Sequence, residues 1–250
     1  MGDFKNFADK RISLLKNEFE GKTFSVLGDS ISTFGGVSNN PDANSTIVNN
    51  KVFYNGTMYV RDQKHTWWGM LQDKLGMSLL VNNSWSGSCV SVDGNNPGAE
   101  GCGSRAENLH NNQGDCPDMI FVYLGTNDYA NKVDLSVFAK SYETMLDKIQ
   151  HRYPSSKVYS FTILPHDRDF KTDEEIKAKD YNNIIRSVAE NKNIKVVDLE
   201  RDMNLKPESY RAIVTSRRAL HPSEGGMDMI ALSVINTISP DYSSEQNYSM

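Results

Sequence analysis

Short runs of β-branched and other apolar residues alternate along the chain with segments of amphipathic, helix-type spacing. Met119–Leu124 is apolar without alternation, which is typical of a strand buried on both faces. Strands that alternate with helices predict a parallel sheet covered on both sides, with right-handed crossovers. The predicted strands lie at Thr23–Asp29, Ser78–Ser84, Asp118–Thr126, Lys157–Leu164 and Ile194–Leu199.

The segments between these runs carry apolar residues every three or four positions, as one face of a helix requires. In one of them, Thr172 followed by Glu175 fits a capping box and predicts where that helix begins. The predicted helices lie at Phe4–Phe19, Asp134–Tyr153, Asp173–Asn191 and Gly226–Ile238, with a further one beginning near Thr66.

The composition is that of an ordinary soluble domain and excludes several classes of partner. The chain has 250 residues, and 27 Lys and Arg face 32 Asp and Glu, for a net charge of -5. An acidic balance argues against nucleic acid and anionic membranes as partners. No apolar run reaches the roughly 20 residues of a membrane-spanning helix. Without a linker-like stretch, we predict one domain over residues 1–250, with an N-terminal helix within 1–22 and a polar tail at 239–250.

The N-terminus and the cysteines bear on the cellular compartment. Charges interrupt the first 15 residues, so they lack the apolar core of a secretory leader. This predicts a cytoplasmic protein, although a secreted chain whose leader had been removed would look the same. Cys89, Cys102 and Cys116 show no CxxC spacing, which argues against a zinc ribbon or a disulfide-stapled scaffold. A single Cys89–Cys102 bridge stays open for an oxidising compartment.

Two long polar connections interrupt the alternation of strands and helices. Residues 35–64 and 91–117 are rich in Asn, Gly and Ser, and each follows a predicted strand end. Open α/β sheets bind ligands at that edge, so we interpret both as substrate loops rather than as simple surface insertions. Tyr54 and Trp68, in or just after the first loop, are candidate substrate contacts that could stack on a sugar or acyl group. Trp67 and Trp68 fit the core of a helix equally well.

Four short motifs fall at strand ends or at the start of the last predicted helix. Each is weak alone, since a Gly-Asp-Ser tripeptide is common in turns, but their order along the chain is informative. We expect the parallel strands to bring them together at one edge of the sheet. The motifs are Gly28-Asp29-Ser30, Asn83-Ser84-Trp85-Ser86-Gly87, Gly125-Thr126-Asn127-Asp128 and His221-Pro222.

In this order the motifs resemble the sequence blocks of the SGNH, or GDSL-type, hydrolase family. The family is named for a Ser, a Gly, an Asn and a His, which here are Ser30, Gly87, Asn127 and His221. The resemblance extends from about residue 23 to residue 231. It implies an α/β fold, a flavodoxin-like three-layer α/β/α sandwich with a five-stranded parallel sheet. It also implies esterase- or lipase-type acyl chemistry without cofactor or metal.

The resemblance further implies a role for each motif residue. Ser30 would be the nucleophile and His221 its base, with the Ser30 and Gly87 backbone N–H groups and the Asn127 side-chain amide as the oxyanion hole. The expected partner is a small-molecule ester, and the polar, aromatic loops favour an acetyl ester on a carbohydrate. Asp29 is a further candidate substrate contact, although the resemblance gives it a structural role.

One position departs from the family pattern. The family's catalytic acid, an Asp three residues before the His, would fall where this chain has Arg218. Three interpretations stay open. Arg218 points into solvent and leaves a Ser30–His221 dyad oriented by a backbone carbonyl, or a carboxylate such as Glu224 or Asp228 substitutes in space. Alternatively, the site has become the pocket of a binding protein with weak or no activity.

Overall fold

The computed structural model describes residues 12–37, 52–56, 59–91, 105–170, 176–215 and 220–239. The strands are β1 (Thr23–Gly28), β2 (Ser78–Ser84), β3 (Met119–Tyr123), β4 (Lys157–Phe161) and β5 (Lys195–Val197). The helices are α1 (residues 12–19), α2 (Trp67–Leu75), α3 (Thr126–Ala130), α4 (Leu135–Arg152), α5 (Ala178–Asn191), α6 (Leu199–Met203), α7 (Pro207–Ile213) and α8 (Glu224–Ile238).

The five strands form one sheet in the order β2-β1-β3-β4-β5, and all neighbours are parallel. This is the flavodoxin-like order, with a reversal between β1 and β3. The α/β/α prediction is therefore confirmed. It also places the carboxyl ends of β1, β2 and β3 side by side, which is where the three strand-end motifs lie.

The central strands bury side chains on both faces, which explains their unbroken apolar character. Phe121 and Tyr123 of β3 belong to the core shared with α2 and α8, whereas Ile120 and Val122 pack into the core shared with α4 and α5. Successive side chains of a strand point to opposite faces, so one apolar run can fill both layers.

Most predicted boundaries are within a few residues of the observed ones, and one differs more. The helix predicted from Asp173 begins at Ala178, because Asp169 accepts a hydrogen bond from the Ala178 backbone N–H at 2.7 Å. The suggested cap, Thr172 with Glu175, lies outside the described residues, as do the first part of the opening helix and Cys102. No helix in the described ranges is long and apolar enough to span a membrane.

Candidate active site

The first strand ends in a tight turn that presents Ser30 at the edge of the sheet. A Cβ on Gly28 would lie 2.7 Å from Ser32 Oγ and 2.8 Å from Ser84 Oγ, so only glycine fits there. Asp29 precedes a single helical turn, Ser30–Ser32, and its carboxylate accepts a hydrogen bond from the Ile31 backbone N–H at 2.9 Å. Ser30 is 5% exposed, which makes its hydroxyl a shielded group at the end of β1.

The second side chain of the site comes from the segment before α8. His221 Nε2 lies 2.8 Å from Ser30 Oγ, although the two residues are 191 positions apart. The His221 segment is fixed by backbone bonds, because Thr215 donates to the His221 carbonyl at 2.8 Å and Ser223 donates to the Ile213 carbonyl at 2.7 Å. The structure thus brings together the two residues predicted as nucleophile and base.

The loop after β2 contacts both the carbonyl oxygen of Gly28 and the start of α3. Ser88 Oγ donates to that oxygen at 3.3 Å, and the Trp85 backbone N–H donates to it at 3.1 Å. Asn127 at the start of α3 is half-buried, and its Nδ2 donates to the Ser88 carbonyl at 2.9 Å. Between Trp85 and Ser88, Gly87 is exposed and has a φ of 79°, a value that favours glycine. Hydrogen bonds therefore link the segments that carry the three predicted oxyanion donors, Ser30, Gly87 and Asn127.

Asp128 connects α3 to the loop that follows Gly87. Its carboxylate accepts hydrogen bonds from the backbone N–H groups of Val90 at 2.9 Å and Ser91 at 3.0 Å, and from the Ser91 hydroxyl. Burial raises the pKa of the Asp128 carboxyl, and these donors oppose that shift. Asp128 therefore ties the start of α3 to the loop that follows Gly87.

Asp29 is fully buried next to Ser30. Burial raises the pKa of its carboxyl to about 7, against the hydrogen bond from Ile31 and the nearby Thr126 side chain, which lower it. A carboxyl with a raised pKa in the folded chain binds its proton more tightly there than in the unfolded chain. The Asp29 contribution to the free energy of unfolding should therefore be largest at low pH and decline as pH rises.

We expect the free energy of unfolding of the native chain, minus that of Asp29→Asn, to fall between about pH 4 and pH 7. The slope cannot exceed about 1.4 kcal/mol per pH unit for one group. Urea denaturation of both proteins at several pH values measures this difference. Subtracting the free energy of unfolding of the variant removes the contribution of the other carboxyl groups. A difference that stays flat or rises over this range would contradict the raised pKa of Asp29.

The three tentative substrate contacts are buried in the structure, and for Trp68 the burial agrees with the alternative of a helix core. Asp29 and Trp68 are 0% exposed and Tyr54 is 2% exposed, so none offers its side chain to a ligand. Trp68 Nε1 donates to the Ser32 carbonyl at 2.9 Å, and the Tyr54 hydroxyl donates to the Pro222 carbonyl at 2.7 Å. These rings support the turn that carries Ser30 and the segment that carries His221.

Two neighbours of the site were not foreseen from the sequence. Phe53 lies flat on the imidazole of His221, with ring centroids 3.4 Å apart and planes within 7°. Arg105 is 3% exposed, its Nη1 donates to the Asn83 carbonyl at 2.5 Å, and its guanidinium lies 4.9 Å from the Trp85 ring centre. In the sequence, Phe53 next to Tyr54 indicates an aromatic pair. The polar stretch around Arg105 gives no indication of a buried guanidinium.

The structure bears on the residues that were considered in connection with the missing catalytic acid. Arg218 lies outside the described residues. Glu224 is held by Arg61, whose Nη2 lies 2.8 Å from Glu224 Oε2, and this arginine lowers the pKa of the Glu224 carboxyl to about 2. Asp228 is exposed on α8. Glu224 is therefore engaged as the partner of Arg61.

Two further features bear on where a ligand could bind. Within the described residues, no group of three or more His, Cys, Asp or Glu side chains could hold a metal ion. A cavity of about 240 Å³ lies near the N-terminus of α5, between Pro165, Phe170 and Leu205, and its lining does not include Ser30 or His221. It is separate from the Ser30–His221 pair.

Comparisons with known proteins identify the family of the chain. A sequence profile of the GDSL-like lipase/acylhydrolase family matches residues 26–229. A solved structure from Bacteroides ovatus, described as a GDSL-like lipase, is 26% identical with a TM-score of 0.63, covering 86% of this chain and 96% of its own. A search of curated proteins found no match.

Two more distant solved structures share the fold. A lipase/acylhydrolase from Enterococcus faecalis is 15% identical with a TM-score of 0.59, covering 86% of this chain and 94% of its own. An acetyl xylan esterase is 18% identical with a TM-score of 0.57, covering 87% of this chain and 100% of its own. With the family profile matching most of the chain, this protein belongs to the GDSL-like lipase/acylhydrolase family of esterase- and lipase-type hydrolases.

Proposed function

We propose that the protein is a serine esterase that cleaves small acyl esters through Ser30 and His221. The observation that carries the proposal is the distance of 2.8 Å between His221 Nε2 and Ser30 Oγ. Separations of this size allow a proton to pass from hydroxyl to imidazole when the hydroxyl attacks a carbonyl carbon.

In the proposed reaction, Ser30 Oγ attacks the ester carbonyl while His221 Nε2 takes its proton. The tetrahedral intermediate collapses, His221 returns the proton to the leaving alcohol, and the acyl group stays on Ser30. Water, deprotonated by the same imidazole, then releases the acid and restores the Ser30 hydroxyl.

The proposed oxyanion hole consists of the backbone N–H groups of Ser30 and Gly87 and the side-chain amide of Asn127. The Asn127 amide carries two hydrogens, and the bond to the Ser88 carbonyl uses one of them. The other hydrogen can then serve the developing oxyanion. Preorganised donors of this kind stabilise the transition state without having to reorient during the reaction.

For the substrate we propose an acetyl ester on a carbohydrate. The Gly87 side of the site is open to solvent, and the half-buried Trp85 lies two residues from Gly87. An aromatic ring beside an open, polar rim suits a sugar better than a long alkyl chain. The acetyl xylan esterase with the same fold is consistent with this choice of substrate.

A panel of esters tests the proposal. Purified protein should hydrolyse p-nitrophenyl acetate and release acetate from acetylated xylose or xylan, and it should cleave p-nitrophenyl palmitate poorly. Turnover of p-nitrophenyl palmitate alone would support an esterase but would refute an acetylated carbohydrate as its substrate. No turnover of any ester would overturn the proposed function.

The alternative of a binding protein without activity was motivated by Arg218. The 2.8 Å contact between Ser30 and His221 favours the enzyme, because a pocket used only for binding has no need of an aligned hydroxyl and imidazole. The binding protein would retain affinity for acetylated sugars, measurable by calorimetry, while leaving every ester of the panel intact.

A further inference from the structure

Phe53 forms part of the surface that surrounds the proposed base. Its phenyl ring lies flat on the imidazole of His221, with ring centroids 3.4 Å apart. Tyr54 packs against the same phenyl ring nearly edge-on, with an interplanar angle of 84° and a centroid distance of 4.8 Å. Tyr54 is buried, whereas Phe53 and His221 are both half-buried. Phe53 is therefore partly open to solvent while it contacts the imidazole.

Hydrogen bonds hold the segment of Phe53 in place relative to the proposed nucleophile. The Phe53 backbone N–H donates to Thr33 Oγ1 at 2.9 Å, and the Thr33 hydroxyl donates to the Ser30 carbonyl at 2.8 Å. The next residue is tied to the segment of the base, because the Tyr54 hydroxyl donates to the Pro222 carbonyl at 2.7 Å. These contacts make Phe53 a fixed wall of the site rather than a loosely held surface residue.

The proposed reaction determines which half of an ester comes near Phe53. The leaving alcohol takes its proton from His221 Nε2, so its oxygen must come within about 3 Å of that nitrogen. The carbonyl oxygen turns instead towards the proposed oxyanion donors, which include Gly87 and Asn127. A phenyl ring that covers the imidazole at 3.4 Å is close enough to touch the first carbons of the alcohol. The acyl group has no comparable need to approach the imidazole.

We infer that Phe53 forms one wall of the subsite for the leaving alcohol and recognises a sugar ring there by stacking. This inference rests on the proposed serine esterase and names the residue that selects its alcohol. A sugar combines an apolar C–H face, which can pack on an aromatic ring, with hydroxyl groups that stay in water. A half-buried ring suits such a group, whereas a long alkyl alcohol gains most from an enclosed apolar pocket.

The kinetic test compares two acetate esters that differ only in their alcohol, an acetylated methyl xyloside and ethyl acetate. The ethyl group is too small to cover the phenyl ring, so the sugar ester should lose more in Phe53→Leu. We expect kcat/KM for the acetylated xyloside to fall roughly 10-fold relative to that for ethyl acetate. The ratio between the two esters cancels any loss of folded enzyme, which would lower both rates equally.

Two controls separate the alcohol subsite from the rest of the protein. The preference for p-nitrophenyl acetate over p-nitrophenyl butyrate should stay the same in Phe53→Leu, because these esters share an alcohol and differ in the acyl group. Phe170→Leu changes another half-buried phenylalanine, which packs on Tyr210, and should leave both ratios at their native values. An unchanged ratio of xyloside to ethyl ester in Phe53→Leu would overturn the inference. A change in the acyl preference alone would also overturn it, because Phe53 would then contact the acyl group.

A binding measurement distinguishes this inference from the proposed function. Ser30→Ala should leave the ester intact, so an NMR titration can measure the Kd of the acetylated methyl xyloside for this variant. We expect Phe53→Leu, added to Ser30→Ala, to weaken binding roughly 10-fold. Equal affinities would refute the sugar subsite even if the protein is an esterase. If the affinity depends on Phe53 but the native protein hydrolyses no ester, the proposed function fails and the sugar contact stands.

Discussion

Replacing Ser30 with alanine is expected to abolish ester hydrolysis while leaving the fold intact. We expect kcat for p-nitrophenyl acetate to fall by roughly 10⁴-fold or more, because removing a serine nucleophile leaves only the stabilisation from the oxyanion hole. The side chain lost is one hydroxyl at the edge of the sheet, so the free energy of unfolding should change by only about 1 kcal/mol. Steady-state kinetics and urea denaturation on the same sample measure both quantities.

Ser32→Ala is the matched control, because Ser32 belongs to the same turn. Its Oγ accepts a hydrogen bond from Trp67 Nε1 at 3.2 Å instead of facing His221. We expect this variant to keep most of its activity. Equal losses of kcat in Ser30→Ala and Ser32→Ala would indicate disruption of the turn. Unchanged kcat in Ser30→Ala would show that Ser30 is not the nucleophile.

The second large effect is expected at Asn127. Loss of one oxyanion donor typically costs on the order of 10²–10³ in kcat, and Asn127→Ala should show a loss of this size with little change in KM. Asn127→Asp keeps the shape but replaces the donor with a carboxylate that repels the oxyanion, so we expect it to be at least as slow.

The control for Asn127 lies at the end of the same helix. Asn131 is exposed, and its Nδ2 donates to Cys89 Sγ at 3.4 Å, so Asn131→Ala should remain near the native rate. Because Asn127 also binds the Ser88 carbonyl, unfolding of each variant should be measured in parallel. An Asn127→Asp enzyme with native kcat would contradict the proposed oxyanion hole.

The sheet could be predicted from the sequence because its strands are buried on both faces. The unbroken apolar run at Met119–Leu124 leaves few alternatives to a central parallel strand, and the strand ends then fix which motifs meet. The start of α5 was misplaced for a different reason. Asp169, nine residues before Ala178 in a short 3-10 helix, accepts a hydrogen bond from the first residue of α5, and this contact exists only once the chain has folded.

Of the residues at the candidate site, only those that belong to a sequence motif could be predicted. Ser30 and His221 meet as expected, whereas the aromatic residues of the first polar stretch did not behave as their surroundings suggested. Polar neighbours in sequence favoured exposed rings, with the core of a helix left open for Trp68. Trp68 and Tyr54 both turn inwards, where their N–H and O–H groups donate to backbone carbonyls. Phe53 lies over the imidazole of His221, and no local sequence pattern predicts that contact.

Labelling with a fluorophosphonate tests most directly whether Ser30 is a nucleophile activated by His221. The reagent phosphonylates activated serine hydroxyls, and mass spectrometry of the digested protein identifies the modified residue. We predict modification at Ser30 in the native protein and a rate slower by orders of magnitude in His221→Asn. Modification at another residue, or equal rates in the two proteins, would contradict this mechanism.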